Sequence, residues 1–373
     1  MQAFEYGLYI HVPFCKSRCT YCDFVSYTDF SLVKEYFEAV KIELEMWSKE
    51  LEMPKVTSIY VGGGTPSDVD FEYLSEILLE VEKLFALDNP EITVEINPKC
   101  SFIEKLAESK VNRISVGLQA ADDNVLKKVK RRHSVSDFKK TWEIVCKYFE
   151  NTNVDFIVGL PAESDLTILN NIEIVRTYKP KHVAVYVLEK ENDIRKTLED
   201  EAVCERYERF LQALEEMGYV RYEISNFSLP GYECKHNMKY WKNENYVGVG
   251  VSAGGHIGFT RYVNTKDLKL YIKMMKAGKH PYEYYQQNDP FQEAKETIFM
   301  GLRIAEGVDL EKIKKLLPEL NVRNLVEGLY DFVEFDEKHL RLSKKGMNQS
   351  GWVIGEIVRR LNDHRFGMGG DRR

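Results

Sequence analysis

Long apolar runs are absent from this 373-residue sequence. No stretch approaches the roughly eighteen consecutive apolar residues that a membrane-spanning helix needs. The opening "MQAFEYGLYIHVPF" lacks the charged, apolar, then small-residue layout of a secretory leader. Cysteine is scarce and odd in number: of seven, Cys100, Cys146, Cys204 and Cys234 stand far apart, which does not suit a disulfide framework. Positive charge is in deficit, with 52 Lys and Arg against 59 Asp and Glu and a net charge of −7. That argues against a broad electrostatic footprint for nucleic acid. Low-complexity tracts are missing too. These absences describe a globular, cytoplasmic protein with no nucleic-acid partner and no intrinsic membrane span. The remaining composition, 44% hydrophobic and 30% charged side chains, suffices for one large core and a smaller appended domain.

The first half alternates short β-branched runs with longer segments of three-to-four apolar spacing. Residues 6–12, 56–62, 91–97, 112–118, 153–160 and 181–188 read as strands, and amphipathic helical patterns fall between them. Such alternation implies a parallel sheet with right-handed crossovers. Six units over residues 1–190 fit either an incomplete (β/α) barrel or an open doubly wound sheet, and in both the active face lies at the C-terminal ends of the strands. Residues 191–285, rich in aromatics and glycine, form a smaller extension. Residues 286–365 predict a compact helical domain of winged-helix type around a small hairpin, and 366–373 a disordered tail.

Three of the cysteines cluster. Cys15, Cys19 and Cys22 form C-x3-C-x2-C in the loop leaving the first strand. Structural zinc normally takes four closed ligands, and a fourth is missing nearby, so zinc would need a distant partner. Coincidental thiols are the bland alternative. An iron–sulfur cluster accounts for the number directly, since three thiolates leave one iron open to an exogenous chelator. His11, four residues before Cys15, faces either the metal or the interior.

The second strand ends in "YVGGGTPS". Three glycines in a row do not pack as strand interior and mark a turn of close backbone approach or a tight strand-to-helix connection. No G-K-[ST] or G-x-G-x-x-G spacing supports a phosphate loop. Glu95, Gln119, Arg131 and Asp155 fall at or just past strand ends, where each taken singly is an ordinary polar residue of a barrel mouth.

C-x3-C-x2-C with an aromatic before the last cysteine resembles the radical S-adenosylmethionine (SAM) superfamily. The resemblance implies an incomplete (β/α)6 barrel within an α/β fold. It implies a 4Fe-4S cluster on Cys15, Cys19 and Cys22 whose open iron is chelated by SAM, one electron from the cluster cleaving the sulfonium to an adenosyl radical. Gly63, Gly64 and Thr65 match the segment that binds the methionyl amino group, and Tyr9, Tyr21, Glu95, Gln119, Arg131 and Asp155 match positions near the cluster and SAM. The likeness extends through "FIVGLP", "GYVRYEISNF", "HNMKYW" and "GLRIAEGVDL", and is specific to the oxygen-independent coproporphyrinogen III oxidases and their relatives, the HemW haem chaperones. The oxidases carry a further cysteine where this chain has Phe24. "HNMKYW" matches the chaperones' H-N-x-x-Y-W motif, which implies haem contacts for His236, Tyr240 and Trp241; a turn cap with core aromatics is the structural alternative. "GLQAADD" and "GVSAGGH" depart from the usual pattern, the second displacing His256. The expected function is a haem chaperone serving an acceptor protein, with an electron donor for the cluster. The rival expectation is radical oxidative decarboxylation of coproporphyrinogen III, or chemistry on another tetrapyrrole.

Overall fold

The computed structural model describes residues 4–188 and 200–368. The first part comprises β1 (Glu5–Val12), α1 (Val33–Glu50), β2 (Lys55–Gly63), α2 (Phe71–Leu84), β3 (Ala86–Ile96), α3 (Ile103–Glu108), β4 (Arg113–Gln119), α4 (Asp123–Lys128), α5 (Val135–Tyr148), β5 (Asn151–Val158), α6 (Asp165–Tyr178) and β6 (His182–Val187). Strands β1 to β6 lie side by side in chain order, every neighbouring pair parallel. A doubly wound sheet would reverse its order at a switch point. The uniform progression is that of the incomplete barrel.

Alternate residues of each strand do different work. Leu8, Ile10, Ile59, Val61, Val94, Ile114, Val116, Val154 and Phe156 bury beneath the helices with Phe37, Leu44, Leu78 and Trp142 in one core. Truncating a large member such as Trp142 would cost about 3–5 kcal/mol. The residues between them are polar or small: Gly7, Tyr9 and His11 on β1; Ser58, Tyr60 and Gly62 on β2; Glu91, Thr93 and Glu95 on β3; Arg113, Ser115 and Gly117 on β4; Asn153 and Asp155 on β5; His182 on β6. They form the barrel interior.

The extension continues this sheet at both edges. After α7 (Asp200–Glu216), β7 (Val220–Arg221) and β8 (Asn226–Ser228) join β6 antiparallel. After α8 (Lys235–Trp241), β9 (Tyr246–Val249) runs parallel to β1, followed outward by β10 (Gly254–Ile257), β11 (Thr260–Asn264) and, beyond α9 (Leu268–Lys276), β12 (Tyr282–Gln287). The resulting 12-stranded sheet runs through the division placed near residue 190. α8 lies across the floor of the barrel. A Cβ on Gly7 would stand 3.1 Å from the Lys239 side chain and 3.2 Å from the His236 ring, so glycine there admits the helix.

The C-terminal part holds α10 (Pro290–Gly301), β13 (Val308–Asp309), α11 (Leu310–Leu316), α12 (Val322–Val326), β14 (Val333–Phe335), β15 (His339–Leu342), α13 (Lys344–Asn348) and α14 (Ser350–Met368). Its three-stranded sheet and helices enclose a separate core that includes Ile298, Leu302, Ile313, Leu340, Val353 and Ile357. The part docks on α8: Lys312 Nζ donates to the carbonyls of Lys242 and Asn243 at 3.0 and 3.1 Å, and the Arg303 guanidinium lies 5.4 Å from the Trp241 ring centroid. Of the tail expected from 366, residues 369–373 lie outside the described residues. No helix among the described residues is long and apolar enough to cross a membrane.

Candidate cofactor site

The loop between β1 and α1 is tied down at its base, where Cys15 N donates to Tyr27 O at 3.0 Å and Tyr27 N to Pro13 O at 2.6 Å. Phe14, fully buried, packs against Phe30 and Tyr36 and anchors it. The three thiols are free, and all line one cavity of about 540 Å³ at the C-terminal ends of the strands. Cys15 Sγ donates to Ser17 O at 2.8 Å and accepts from Thr65 Oγ1 at 3.2 Å, while Arg131 Nη1 stands 3.7 Å from Cys19 Sγ. Burial raises the Cys22 thiol above its ordinary pKa. Among the described residues no three His, Cys, Asp or Glu side chains converge on a single metal-ion position. Three free thiols on one loop facing one cavity would supply three ligands to an iron–sulfur cluster and leave its remaining iron open to that cavity. His11 turns inward: it is 4% exposed, its Nδ1 pairs with the Tyr9 hydroxyl and its Nε2 with Val25 O, both at 2.9 Å. Burial lowers its imidazole to about 4.

Gly63, Gly64 and Thr65 lock the second turn against this loop. Gly64 N donates to Val12 O and Thr65 N to Phe14 O, both at 2.8 Å. Gly63 has φ +111°, and a Cβ there would fall 2.4 Å from the His11 ring; one on Gly64 would fall 2.8 Å from the carbonyls of Val12 and Phe14. The close approach that the glycines permit is therefore that of the cysteine-bearing segment itself.

Glu95, Gln119, Arg131 and Asp155 meet at the same cavity. Tyr60 donates to Glu95 Oε1 at 2.7 Å and Gly63 N to Oε2 at 3.1 Å. Burial pushes the Glu95 carboxyl up to about 7; the Tyr60 hydrogen bond opposes this and the Asp155 charge adds to it. Asp155 accepts from Asn153 Nδ2 at 2.7 Å and Ser115 Oγ at 3.2 Å, and burial raises its carboxyl despite both. Gln119 sits at a register shift in β4 with φ +69°, the left-handed region that costs a non-glycine residue energy and is concentrated at functional positions. Its Oε1 is buried without a hydrogen-bond partner among the described residues. Arg131 arrives on a short loop that leaves α4 through Lys130 at φ +60° and ends in the Ser134–Asp137 capping box of α5. Its Nη2 donates to Asn97 Oδ1 and Gly117 O, both at 2.6 Å, and its Nη1 stands 3.4 Å from the Tyr21 hydroxyl.

The structure thus gathers Cys15, Cys19, Cys22, Tyr21, Gly63, Gly64, Thr65, Glu95, Gln119, Arg131 and Asp155 around one cavity. Tyr9 stands behind it, between His11 and the rings of Tyr60 and His236. His236 and Tyr240 lie away from it, on α8 at the opposite end of the barrel. His236 is fully buried, with Nδ1 3.0 Å from Ser58 Oγ and Nε2 2.7 Å from Tyr240 Oη, and burial lowers its imidazole to about 3. Trp241 is partly exposed, with the Arg303 guanidinium 5.4 Å from its ring centroid. Cys234 is buried, its thiol pushed up to about 12, the state of an inert cysteine. Tyr60, Asn97, Ser115 and Tyr186 also line the cavity and escaped the sequence reading. For Tyr60 and Ser115, the period-two polar alternation of the strands was the available sign. The cavity mouth is apolar, with Phe24 64%, Tyr186 42% and Val187 37% exposed.

The sequence pattern of the radical SAM superfamily matches residues 9–175. The chain is 33% identical to the haem chaperone HemW of Bacillus subtilis (strain 168) over 356 residues, 91% of each chain. It is 34% identical to the haem chaperone HemW of Lactococcus lactis subsp. lactis (strain IL1403), covering 82% of this chain and 83% of that one. Among solved structures, coproporphyrinogen III oxidase (HemN) from Escherichia coli, a radical SAM enzyme, aligns with TM-score 0.82 over 96% of this chain and 90% of that one, at 20% identity. The last likeness concerns the fold.

Proposed function

The chain belongs to the family of haem chaperones HemW, within the radical SAM superfamily, and on that basis we propose that it binds haem, holds a 4Fe-4S cluster with SAM, and passes haem to an acceptor protein. The observation that carries the cofactor part is the set of three free thiols on one loop, facing a cavity of about 540 Å³ that also holds the unpartnered Gln119 Oε1. Cys15, Cys19 and Cys22 would ligate the cluster. The Gly63–Thr65 turn, Tyr21, Glu95, Gln119, Arg131 and Asp155 would surround SAM, with Tyr9 supporting them from behind. When bound, the cluster supplies one-electron chemistry to SAM.

The protein's own groups prepare this site in recognisable ways. Glu95 and Asp155 hold two carboxyls where a cationic ligand would favour their ionised forms. Gln119 offers an acceptor that nothing among the described residues satisfies, and a buried acceptor left unmade is costly. Arg131 sets a fixed positive charge beside Cys19, with Nη1 3.7 Å from its sulfur. An electron donor would reach the cluster from solvent, and the cytoplasm supplies the reducing setting that such thiols need.

For haem, His236, Tyr240 and Trp241 remain the proposed contacts, with one structural condition. Both ring nitrogens of His236 are engaged, so axial ligation by this imidazole requires α8 to leave the barrel floor. The test is an anaerobic haem titration of the reconstituted protein, followed by absorption, beside His236→Ala. Saturable one-to-one binding by the unaltered protein is expected, and its loss in the variant would locate the site. Weak, unsaturable binding equal in both would overturn the chaperone reading in favour of an enzyme acting on coproporphyrinogen.

A further inference from the structure

Two chains of contacts rise through the barrel interior from the start of α8 to the two carboxylates of the cavity. The first begins at His236, whose ring stacks on Tyr60 with centroids 5.5 Å apart and planes 28° from parallel. Ser58 Oγ and Tyr240 Oη hold that ring at its two nitrogens, and Tyr60 in turn donates to Glu95 Oε1 at 2.7 Å. The space is made by missing side chains. A Cβ on Gly62 would stand 2.8 Å from Glu95 Oε2 and 2.9 Å from the Tyr60 ring.

The second chain is directional. Cys234 N donates to Tyr222 Oη at 3.3 Å, and the Tyr222 hydroxyl proton is free to go to His182 Nε2 at 2.8 Å. An Nε2 that accepts leaves the proton on Nδ1, which donates to Asn153 Oδ1 at 2.6 Å. Asn153 Nδ2 then donates to Asp155 Oδ1 at 2.7 Å. Every donor in the series points toward the carboxylate, and the arrangement needs a neutral His182. That agrees with its 1% exposure and with burial holding its imidazole well below the ordinary value.

We infer that the first turn of α8 and the residue before it form a positioning element for the cavity: His236 sets Glu95 through Tyr60, and the Cys234 backbone sets Asp155 through Tyr222, His182 and Asn153. Neither Cys234 nor His236 lines the cavity, so both act through other residues. Polar chains of this kind strengthen when complete and are costly when cut. The meaning of the coupling rests on the cavity being the cofactor site, but its existence does not, and both carboxyls can be read without cofactor.

The experiment uses the full-length, cofactor-free protein with carbon-13 at the side-chain carboxyls, resonances being assigned with Glu95→Gln and Asp155→Asn. Glu95 faces Tyr60 and the Gly63 amide from β2, Asp155 from β5 and Arg113 from β4, and its charge is felt by Tyr9, Tyr186 and Tyr240. Asp155 faces Asn153, Ser115, Arg113 and Arg131. The Tyr60 hydrogen bond lowers the Glu95 midpoint. Losing it through Tyr60→Phe, or loosening it through His236→Ala, should raise that midpoint by roughly half to one pH unit. In the Tyr60→Phe background His236→Ala should add nothing, the non-additivity expected of one chain. Nitrogen-15 spectra should find the His182 proton on Nδ1. A Glu95 midpoint unmoved by His236→Ala, an equal shift with and without the Tyr60 hydroxyl, or a His182 proton on Nε2 would each overturn the inference. Should His236→Ala fail to fold, Ser58→Ala, which frees only the Nδ1 side of the ring, runs through the same cycle under the same criteria. Coupled carboxyls in a protein that binds neither SAM nor haem would refute the functional reading alone. Uncoupled carboxyls in a protein that binds both would refute the positioning role alone.

Discussion

Replacing Glu95 with glutamine should remove part of the protein's pH-dependent stability. The folded protein holds this carboxyl at about 7 where the unfolded chain has it near 4.5, mainly because burial disfavours the charge. A folded-state pKa raised above the unfolded value contributes stability that is complete below pH 4.5 and is lost as the pH rises through 7. The difference corresponds to about 3 kcal/mol at most, less whatever the water admitted by the cavity recovers. Glutamine keeps the shape and can still accept from Tyr60, but meets the Gly63 N–H with only one acceptor oxygen to share, a constant cost of about 1 kcal/mol. The two proteins should therefore be about equally stable at pH 5, and the unaltered protein the less stable by about 2 kcal/mol at pH 8. Urea denaturation of the cofactor-free protein at four pH values between 5 and 8 reads this directly. Raised carboxyls away from this pair, Glu163 at about 7 among them, are common to both proteins and cancel in the difference, whereas Asp155 feels the Glu95 charge and contributes to it. A difference constant within about 0.5 kcal/mol across the range, close to the usual error of such comparisons, would refute the view that Glu95 is held protonated by its surroundings. A cationic ligand should reverse the trend by restoring the ionised carboxyl, so SAM should bind more tightly as the pH rises through 7.

Cys19→Ala should abolish the four-iron absorption obtained after anaerobic reconstitution, because two thiolates no longer close three corners of the cluster; an unchanged spectrum would remove Cys19 from the ligand set. Arg131→Ala deletes two 2.6 Å bonds, to Asn97 Oδ1 and Gly117 O, and should weaken SAM binding at least tenfold, about 1.4 kcal/mol, as measured by calorimetry. Unaltered affinity would confine Arg131 to a structural part.

The six central strands were legible because each is a β-branched run bounded by turn residues, and the C-terminal ends of those strands did gather the polar residues singled out there. The start of β3 was not legible: Ala86–Pro90 contains Asn-Pro, which reads as a turn, yet Leu87 pairs with Val56. The edge strands were not legible either, since β9 is a short, glycine-containing segment whose pairing with β1, Gly7 opposite Tyr246, depends on a partner far away in the chain. Barrel against doubly wound sheet was undecidable from periodicity, because the order of strands is a tertiary fact. At the site, motif spacing found the thiols and the glycine turn. It overlooked Tyr60 and Asn97, which carry no motif of their own and act by holding Glu95 and Arg131.

"HNMKYW" shows most clearly why residue types alone leave a role open. An imidazole beside two aromatic rings serves equally as a haem contact or as a plug, and burial separates the two. Exposing His236 would break its pairings with Ser58 Oγ and Tyr240 Oη and undo its stack on Tyr60. At about 1 kcal/mol net for each hydrogen bond, the two alone put the open form near 3% of the population. Ligation through that form is weakened by the same fraction, about thirtyfold. The docking of Lys312 and Arg303 on the C-terminal end of α8 adds to the cost. Haem captured by His236 must therefore bind the opened floor tightly enough to offset these contacts. Opening it would also release Tyr60 from His236, so haem at one end of the barrel and SAM at the other would be felt by each other through Glu95.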